Sequence, residues 1–314
     1  MRRLARWIRY VNAMFPPVIL APVGAAQFLS LYLVLQTLGG VTPLRLGWRA
    51  AIGAASTVLW MLLIRLQDDI VDAPADIRLG RAGDPRYRDR PVVQGDITVR
   101  ELRQMAGAAA VTLIGLNVLH GPSAMLLALV VGLAITRLGF AWFFIPSLAR
   151  DPSPLAYLVR KVLTVLFGLY ACAVYRDEFG ELVPTLWVLL LLLAPVASVA
   201  AWETARKIRI PEDETDYGTY SKVLGWRLAA LLPAGFVAAA VACLVPIAIA
   251  ARLDWKYPSA LVIAAAIAIG ACLRFRLAPT RARADLRRYV EIFGVVANGG
   301  LVVALAAQRG VALS

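Results

Sequence analysis

Residues 48–76 read WRAAIGAASTVLWMLLIRLQDDIVDAPAD, and the change of character along this stretch decides the fold. From 48 to 67 it is a predominantly apolar run of about 20 residues, the length that crosses a bilayer as an α-helix. A helix satisfies its own backbone hydrogen bonds where lipid offers none. The run then turns acidic, with Asp68, Asp69, Asp72 and Asp76 at its end.

The apolar pattern recurs at about 17–38, 101–119, 122–145, 155–175, 183–205, 226–250, 257–275 and 290–308. Turn signals separate these segments: Gly39-Gly40, Gly121-Pro122, Asp151-Pro152-Ser153-Pro154, Gly180, Asp254 and Pro279. The 314 residues are 60% hydrophobic and only 17% charged, less charge than a soluble domain carries. We expect an all-α polytopic membrane protein of about nine transmembrane helices, one domain over 1–314, with no linker and no internal repeat.

The net charge is +13. Its placement argues for membrane topology and against nucleic acid as a partner. With the N-terminus cytoplasmic, 25 of the 33 Lys and Arg fall in the N-terminus and in alternate loops. The opposite side holds Arg45, Arg49, Arg176, Arg252, Lys256 and Arg309. That imbalance is the positive-inside pattern. It puts both large charged loops, about 68–100 and 203–225, on the cytoplasmic side and the C-terminus outside. The basic start MRRLARWIRYVNAMFPP has no small-residue cleavage site after it, so we expect a retained helix and not a signal peptide. Cys172, Cys243 and Cys272 stand singly in apolar stretches, which excludes a disulfide framework or zinc spacing. His120 sits beside Gly121-Pro122 and reads as a loop residue.

Asp69, Asp72 and Asp76 stand at i, i+3 and i+7, which puts all three on one helix face; Asp68 and Asp72 add an i, i+4 pair beside them. Such like-charge pairs cost about 0.2–0.5 kcal/mol each, and more near lipid. A divalent cation removes that cost, and an all-oxygen ligand set suits Mg²⁺. The plain alternative is a solvated acidic helix end neutralised by Arg78, Arg81, Arg86, Arg88 and Arg90. Pro74 cannot donate to the carbonyl of Ile70 and disfavours the helical state at Ala73. We therefore expect a kink or helix end near Asp72.

A second cluster follows the sixth apolar segment in VAAWETARKIRIPEDETDYGTYSKVLGW. Glu203 and Lys207 form an i, i+4 pair. Glu212, Asp213, Glu214 and Asp216 follow Pro211, and Arg206, Lys207 and Arg209 lie beside them. Mg²⁺ takes one or two carboxylates plus substrate phosphate oxygens, and Arg and Lys clamp the remaining phosphate charge. The alternative is an ordinary salt-bridged loop. The two clusters lie on one membrane face, separated by four helices.

With both clusters in view, the sequence resembles the UbiA superfamily of intramembrane prenyltransferases. The family's first motif, N/D-D-x-x-D-x-x-x-D, is matched by Asp68, Asp69, Asp72 and Asp76, with Asp68 where Asn is common. The basic residue and R-P-x-x-x-G segment that follow in the family are matched by Arg78 and by Arg90-Pro91-Val92-Val93-Gln94-Gly95. Thr219 to Gly225 is similar to the family's T-L-x-x-x-x-G ending. The second motif departs from the family's D-x-x-x-D: counting back from Thr219 puts Ile208 where the first carboxylate belongs, leaving Glu203 with Glu212 or Asp213.

The resemblance implies a central cavity and Mg²⁺-dependent loss of diphosphate from a polyprenyl diphosphate. The prenyl group then passes to a hydrophobic acceptor: an aromatic, a quinone precursor or a lipid alcohol. It implies metal ligands among Asp68, Asp69, Asp72, Asp76, Glu203, Glu212 and Asp213. Diphosphate contacts are implied at Arg9, Asn12, Arg65, Arg78, Arg90, Arg206, Lys207 and Arg209. The chemistry would centre on Asp72, Arg78 and Lys207. Tyr10, Trp60, Phe140, Trp142, Tyr170, Tyr175 and Trp202 are aromatic candidates for steadying a carbocation, though ordinary packing is the commoner role. The implied setting is a prokaryotic inner membrane, with no obligate protein partner. A UbiA-type terpene cyclase shares every motif. A cation-coupled transporter explains the aspartates but not Arg90-Pro91. A CDP-alcohol phosphatidyltransferase would need a D-G-x-x-A-R run that this chain lacks.

Overall fold

The computed structural model describes residues 2–119, 121–142, 162–180, 183–214 and 219–313. His120, Asp216, the 151–154 turn and the side chain of Trp142 lie outside the described residues. In chain order the elements are α1 (Arg2–Met14), α2 (Pro17–Leu38), β1 (Leu44–Leu46), α3 (Trp48–Arg81), α4 (Pro85–Arg88), α5 (Pro91–Gln94), α6 (Val99–Val118) and α7 (Ala124–Trp142). They continue with α8 (Val162–Phe179), α9 (Thr185–Ala205), α10 (Tyr220–Ala229), α11 (Leu231–Ala250), α12 (Lys256–Leu277) and α13 (Leu286–Gly294). A π-helical stretch, Val295–Gly300, joins α13 to α14 (Leu301–Arg309), and β2 (Val311–Leu313) ends the described chain.

Helices occupy every expected apolar segment as far as each is described. Seven stretches among the described residues are long and apolar enough to cross a membrane, against the nine expected. The two that fall short are α6, whose first turns carry Arg100, Glu101 and Arg103, and α8, which ends in Arg176-Asp177-Glu178. The basic N-terminus forms its own amphipathic helix, α1, set off from α2 by Pro16 and by Pro17 at the first helical position.

The expected break near Asp72 does not occur. α3 runs unbroken from Trp48 to Arg81 with Pro74 inside it. An interior proline costs about 3 kcal/mol, and contacts on both sides of it hold the helix together. Ala73 is buried, and a Cβ on Gly80 would come within 2.6 Å of Val93, so the far half packs tightly against the α5 segment. Asp76 consequently stays on the face that carries Asp68, Asp69 and Asp72.

The connections gather at two opposite ends, as an alternating path requires. At one end β1 pairs in parallel with β2, Leu44 opposite Val311. There too, Arg49 donates to the Asp177 carbonyl at 3.1 Å and Gln308 donates to the Arg252 carbonyl at 2.7 Å. At the other end Arg281 meets Asp213 at 2.8 Å and the Trp202 indole donates to Glu291 at 2.9 Å. β2, the last described element, therefore lies across the bundle from α1, whose Tyr10 meets Asp69 near the other end of α3.

The core between α3, α7 and α8 is aromatic. Trp60 is fully buried, edge-on to Phe167 at 5.2 Å and Tyr170 at 6.2 Å, and its indole donates to Thr136 at 3.1 Å. Gly132 makes room for it: a Cβ there would sit 2.1 Å from the indole. Asn117 donates to Ser56 and accepts from the Tyr170 hydroxyl at 2.8 Å. Trp60 and Tyr170 are thus packed within this core, and Tyr175 is buried with its ring 5.1 Å from Phe179. Asp177 at the end of α8 accepts from the amides of Ala124 and Met125 at 3.0 and 2.7 Å, capping the start of α7. Asp177→Ala should lower stability by about 1 kcal/mol, the usual weight of a lost N-cap, read as a lower midpoint in detergent unfolding.

Candidate active site

The acidic face of α3 is divided by how its carboxylates are held. Asp69 is buried, and both its oxygens are engaged. Oδ1 pairs with Arg65 one turn earlier at 2.7 Å, and Oδ2 accepts from the Tyr10 hydroxyl of α1. Burial and the Asp69 charge push the Tyr10 phenol above its ordinary range, so it stays protonated and donates. Asp76 is buried too, and its Oδ2 accepts from Arg90. Asp68 and Asp72 are exposed on the open side of the same face.

Arg90 reaches Asp76 because the 84–97 segment doubles back along α3. Pro91 opens α5 with Arg90 at its N-cap, and Gly95 closes it at φ +80°, where a side chain would be strained. The Arg90 guanidinium also lies 4.8 Å above the Tyr87 ring. The Arg-Pro-x-x-x-Gly run is therefore a local device that returns one arginine to the acidic face. A narrow cavity lined by Tyr10, Met14, Asp69, Asp76, Arg90, Pro91, Val92 and Leu102 lies beside it.

Across the bundle, α9 ends at Ala205 and delivers Arg206 close enough to Asp68 for their charges to attract. Arg206 also lies 5.0 Å over the Trp202 ring, which Arg287 of α13 meets at 5.6 Å. Lys207 lies 5.9 Å over Tyr220. The Arg209 amide donates to Ser221 at 2.8 Å. Glu203 is half-buried and Glu212 is exposed. Asp213 is turned to Arg281, and Glu214 accepts from the Thr219 hydroxyl at 2.5 Å. Arg9 and Asn12 are exposed on α1, Arg78 is exposed on α3, and Phe140 is half-buried on α7.

Among the described residues, no three Asp, Glu, His or Cys side chains converge into a group that could hold a metal ion. The reason is visible: arginines hold Asp69, Asp76 and Asp213, each at a different place. Asp68 and Asp72 remain as a hard, all-oxygen pair one turn apart, which suits Mg²⁺ when substrate oxygens complete the shell. Sequence reading missed Tyr10 as a partner of Asp69, Tyr87 beneath Arg90, and Arg281. Only Tyr10 gave a signal, its place on the apolar face of an amphipathic helix.

No protein-family profile and no curated protein matches the chain. Solved structures do. A structure concerned with digeranylgeranylglyceryl phosphate synthase is 14% identical with TM-score 0.65, covering 98% of this chain and 100% of its own. An apo UbiA homologue from Aeropyrum pernix K1 is 18% identical with TM-score 0.58, covering 88% and 97%. A UbiA homologue from Archaeoglobus fulgidus, bound to DMAPP and Mg²⁺, is 17% identical with TM-score 0.51, covering 93% and 99%. The likeness is one of architecture, and over nearly its whole length this chain has the fold of the UbiA homologues.

Proposed function

We propose that this protein is a Mg²⁺-dependent intramembrane prenyltransferase. It moves a prenyl group from a polyprenyl diphosphate to a hydrophobic acceptor and releases diphosphate. The observation that carries the reading is the split acidic face of α3: Asp68 and Asp72 stand exposed on it, while Arg65 and Tyr10 hold Asp69 and Arg90 holds Asp76. Exposed carboxylates beside an arginine suit a metal-bridged polyanion; a cation pathway gains nothing from the arginine. The neighbours of like fold that bind DMAPP or GPP with Mg²⁺ support the same reading.

In this reading Asp68 and Asp72 would hold Mg²⁺, which when bound neutralises charge on the departing diphosphate. Arg206 and Lys207 take up the remaining phosphate charge from the α9 side. Arg65 and Arg90 keep Asp69 and Asp76 oriented and lower the net negative charge that the face presents to a polyanion. The N-terminal side of the bundle is the cytoplasmic side, by the placement of Lys and Arg.

The test is product analysis with purified protein, Mg²⁺ and radiolabelled geranyl, farnesyl or geranylgeranyl diphosphate. Diphosphate release that depends on an added aromatic, quinone-precursor or lipid-alcohol acceptor supports transfer. Equal release without acceptor, yielding a cyclic hydrocarbon, replaces transfer with terpene cyclisation. No release from any of the three removes the reading.

A further inference from the structure

α1 is not among the helices able to span a membrane, yet it is fixed to the bundle at three points. Arg3 donates to Gln104, Arg6 pairs with Glu101, and Tyr10 donates to Asp69. The Glu101 anchor is itself rigid. Its second oxygen accepts from the amide and hydroxyl of Thr98 at 3.0 and 2.9 Å, completing the capping box of α6. Tyr10 is buried, and Trp7, Val11 and Met14 pack against the core. The flank beside them exposes Leu4 (62%) and Ile8 (53%), while Arg9 and Asn12 lie exposed on the polar side. α2 follows at once, its first turn exposing Val18 and Ile19. A short helix with an apolar flank and arginines, next to a membrane span, lies in the plane of the interface.

We propose that α1 is an interfacial cap that closes the acidic site against water, with the Tyr10–Asp69 hydrogen bond as its latch. Tyr10 and Met14 form one wall of the cavity beside Asp69 and Asp76, so α1 shelters the acidic face on its Asp69 side and leaves Asp68 and Asp72 open to substrate. The latch stands on geometry alone; what it protects rests on the prenyl diphosphate reading. When the allylic C–O bond breaks, its electron pair leaves with diphosphate and a carbocation remains. Water competes with the acceptor for that cation: its oxygen forms a new C–O bond, its proton passes to diphosphate, and the product is a prenol. Excluding water from the site suppresses this side reaction. Tyr10 is here a positioning residue, holding α1 down and Asp69 turned away from the exposed pair.

Tyr10→Phe keeps the packed ring and deletes the latch. The experiment uses the full chain in nanodiscs of phosphatidylglycerol and phosphatidylcholine, with Tyr32→Phe, a buried tyrosine at the opposite end, as control. Tryptic cleavage after Arg9 should run at least about tenfold faster in Tyr10→Phe, the factor carried by one hydrogen bond to a charged group. It should be unchanged in Tyr32→Phe. The prenol fraction formed from radiolabelled geranylgeranyl diphosphate should rise severalfold in Tyr10→Phe alone. Cleavage at the wild-type rate overturns the latch. Faster cleavage with an unchanged prenol fraction overturns the water-excluding role. A protein that consumes no prenyl diphosphate overturns that role together with the reading it rests on, while the tryptic rates still decide the latch.

Discussion

Asp72→Ala is expected to lower prenyl diphosphate turnover roughly a hundredfold to a thousandfold, the scale set by losing one stabiliser of developing charge. The protein should still reach the membrane in wild-type amount. Asp72 is exposed and lies one turn from Asp68 and one from Asp76, the only carboxylate so flanked on that face. Removing it empties the middle of the row. The same change relieves like-charge repulsion at an exposed position, so stability should hold or rise slightly. Steady-state diphosphate release, read beside expression and thermal unfolding in detergent, separates the two effects. Wild-type turnover in this variant would remove the metal-site reading.

Arg90→Met is expected to cost about 3–5 kcal/mol of stability, because it leaves the Asp76 carboxylate buried without its counter-charge. Asp76 is 3% exposed, and Arg90 donates directly to it. The loss should spread along the 84–97 segment, since the Tyr87 ring packs under the same guanidinium. The double variant Arg90→Met/Asp76→Leu should recover most of the loss, because removing both partners leaves no unpaired charge. Unfolding midpoints of the three proteins in one detergent check this. A single variant as stable as the parent would show that Asp76 draws its compensation elsewhere.

The helices were legible because their signal is local. Apolar runs, turn residues and the one-sided distribution of Lys and Arg each act within a few residues, and the helices appear where those signals put them. The spacing of Asp68, Asp69, Asp72 and Asp76 likewise placed them on one face. Two features were not legible. Pro74 reads as a breaker, but the packing of Gly80 on Val93 and the pairing of Asp76 with Arg90 act through residues up to 14 positions away, and they carry the helix through it. The division of the aspartates into held and exposed pairs depends on Tyr10, which lies 59 positions from Asp69. A propensity argument sees neither contact. In the second cluster, sequence left Glu212 and Asp213 as alternatives beside Glu203, and the ion pair to Arg281 sets Asp213 apart.

The most direct test of the central claim is Mg²⁺-dependent release of inorganic diphosphate from geranylgeranyl, farnesyl or geranyl diphosphate by the purified protein in nanodiscs. The account predicts release from at least one of them, its loss on chelation, and its restoration by Mg²⁺. Absence of release from all three, with metal-dependent ion flux through the same protein in liposomes, would contradict it.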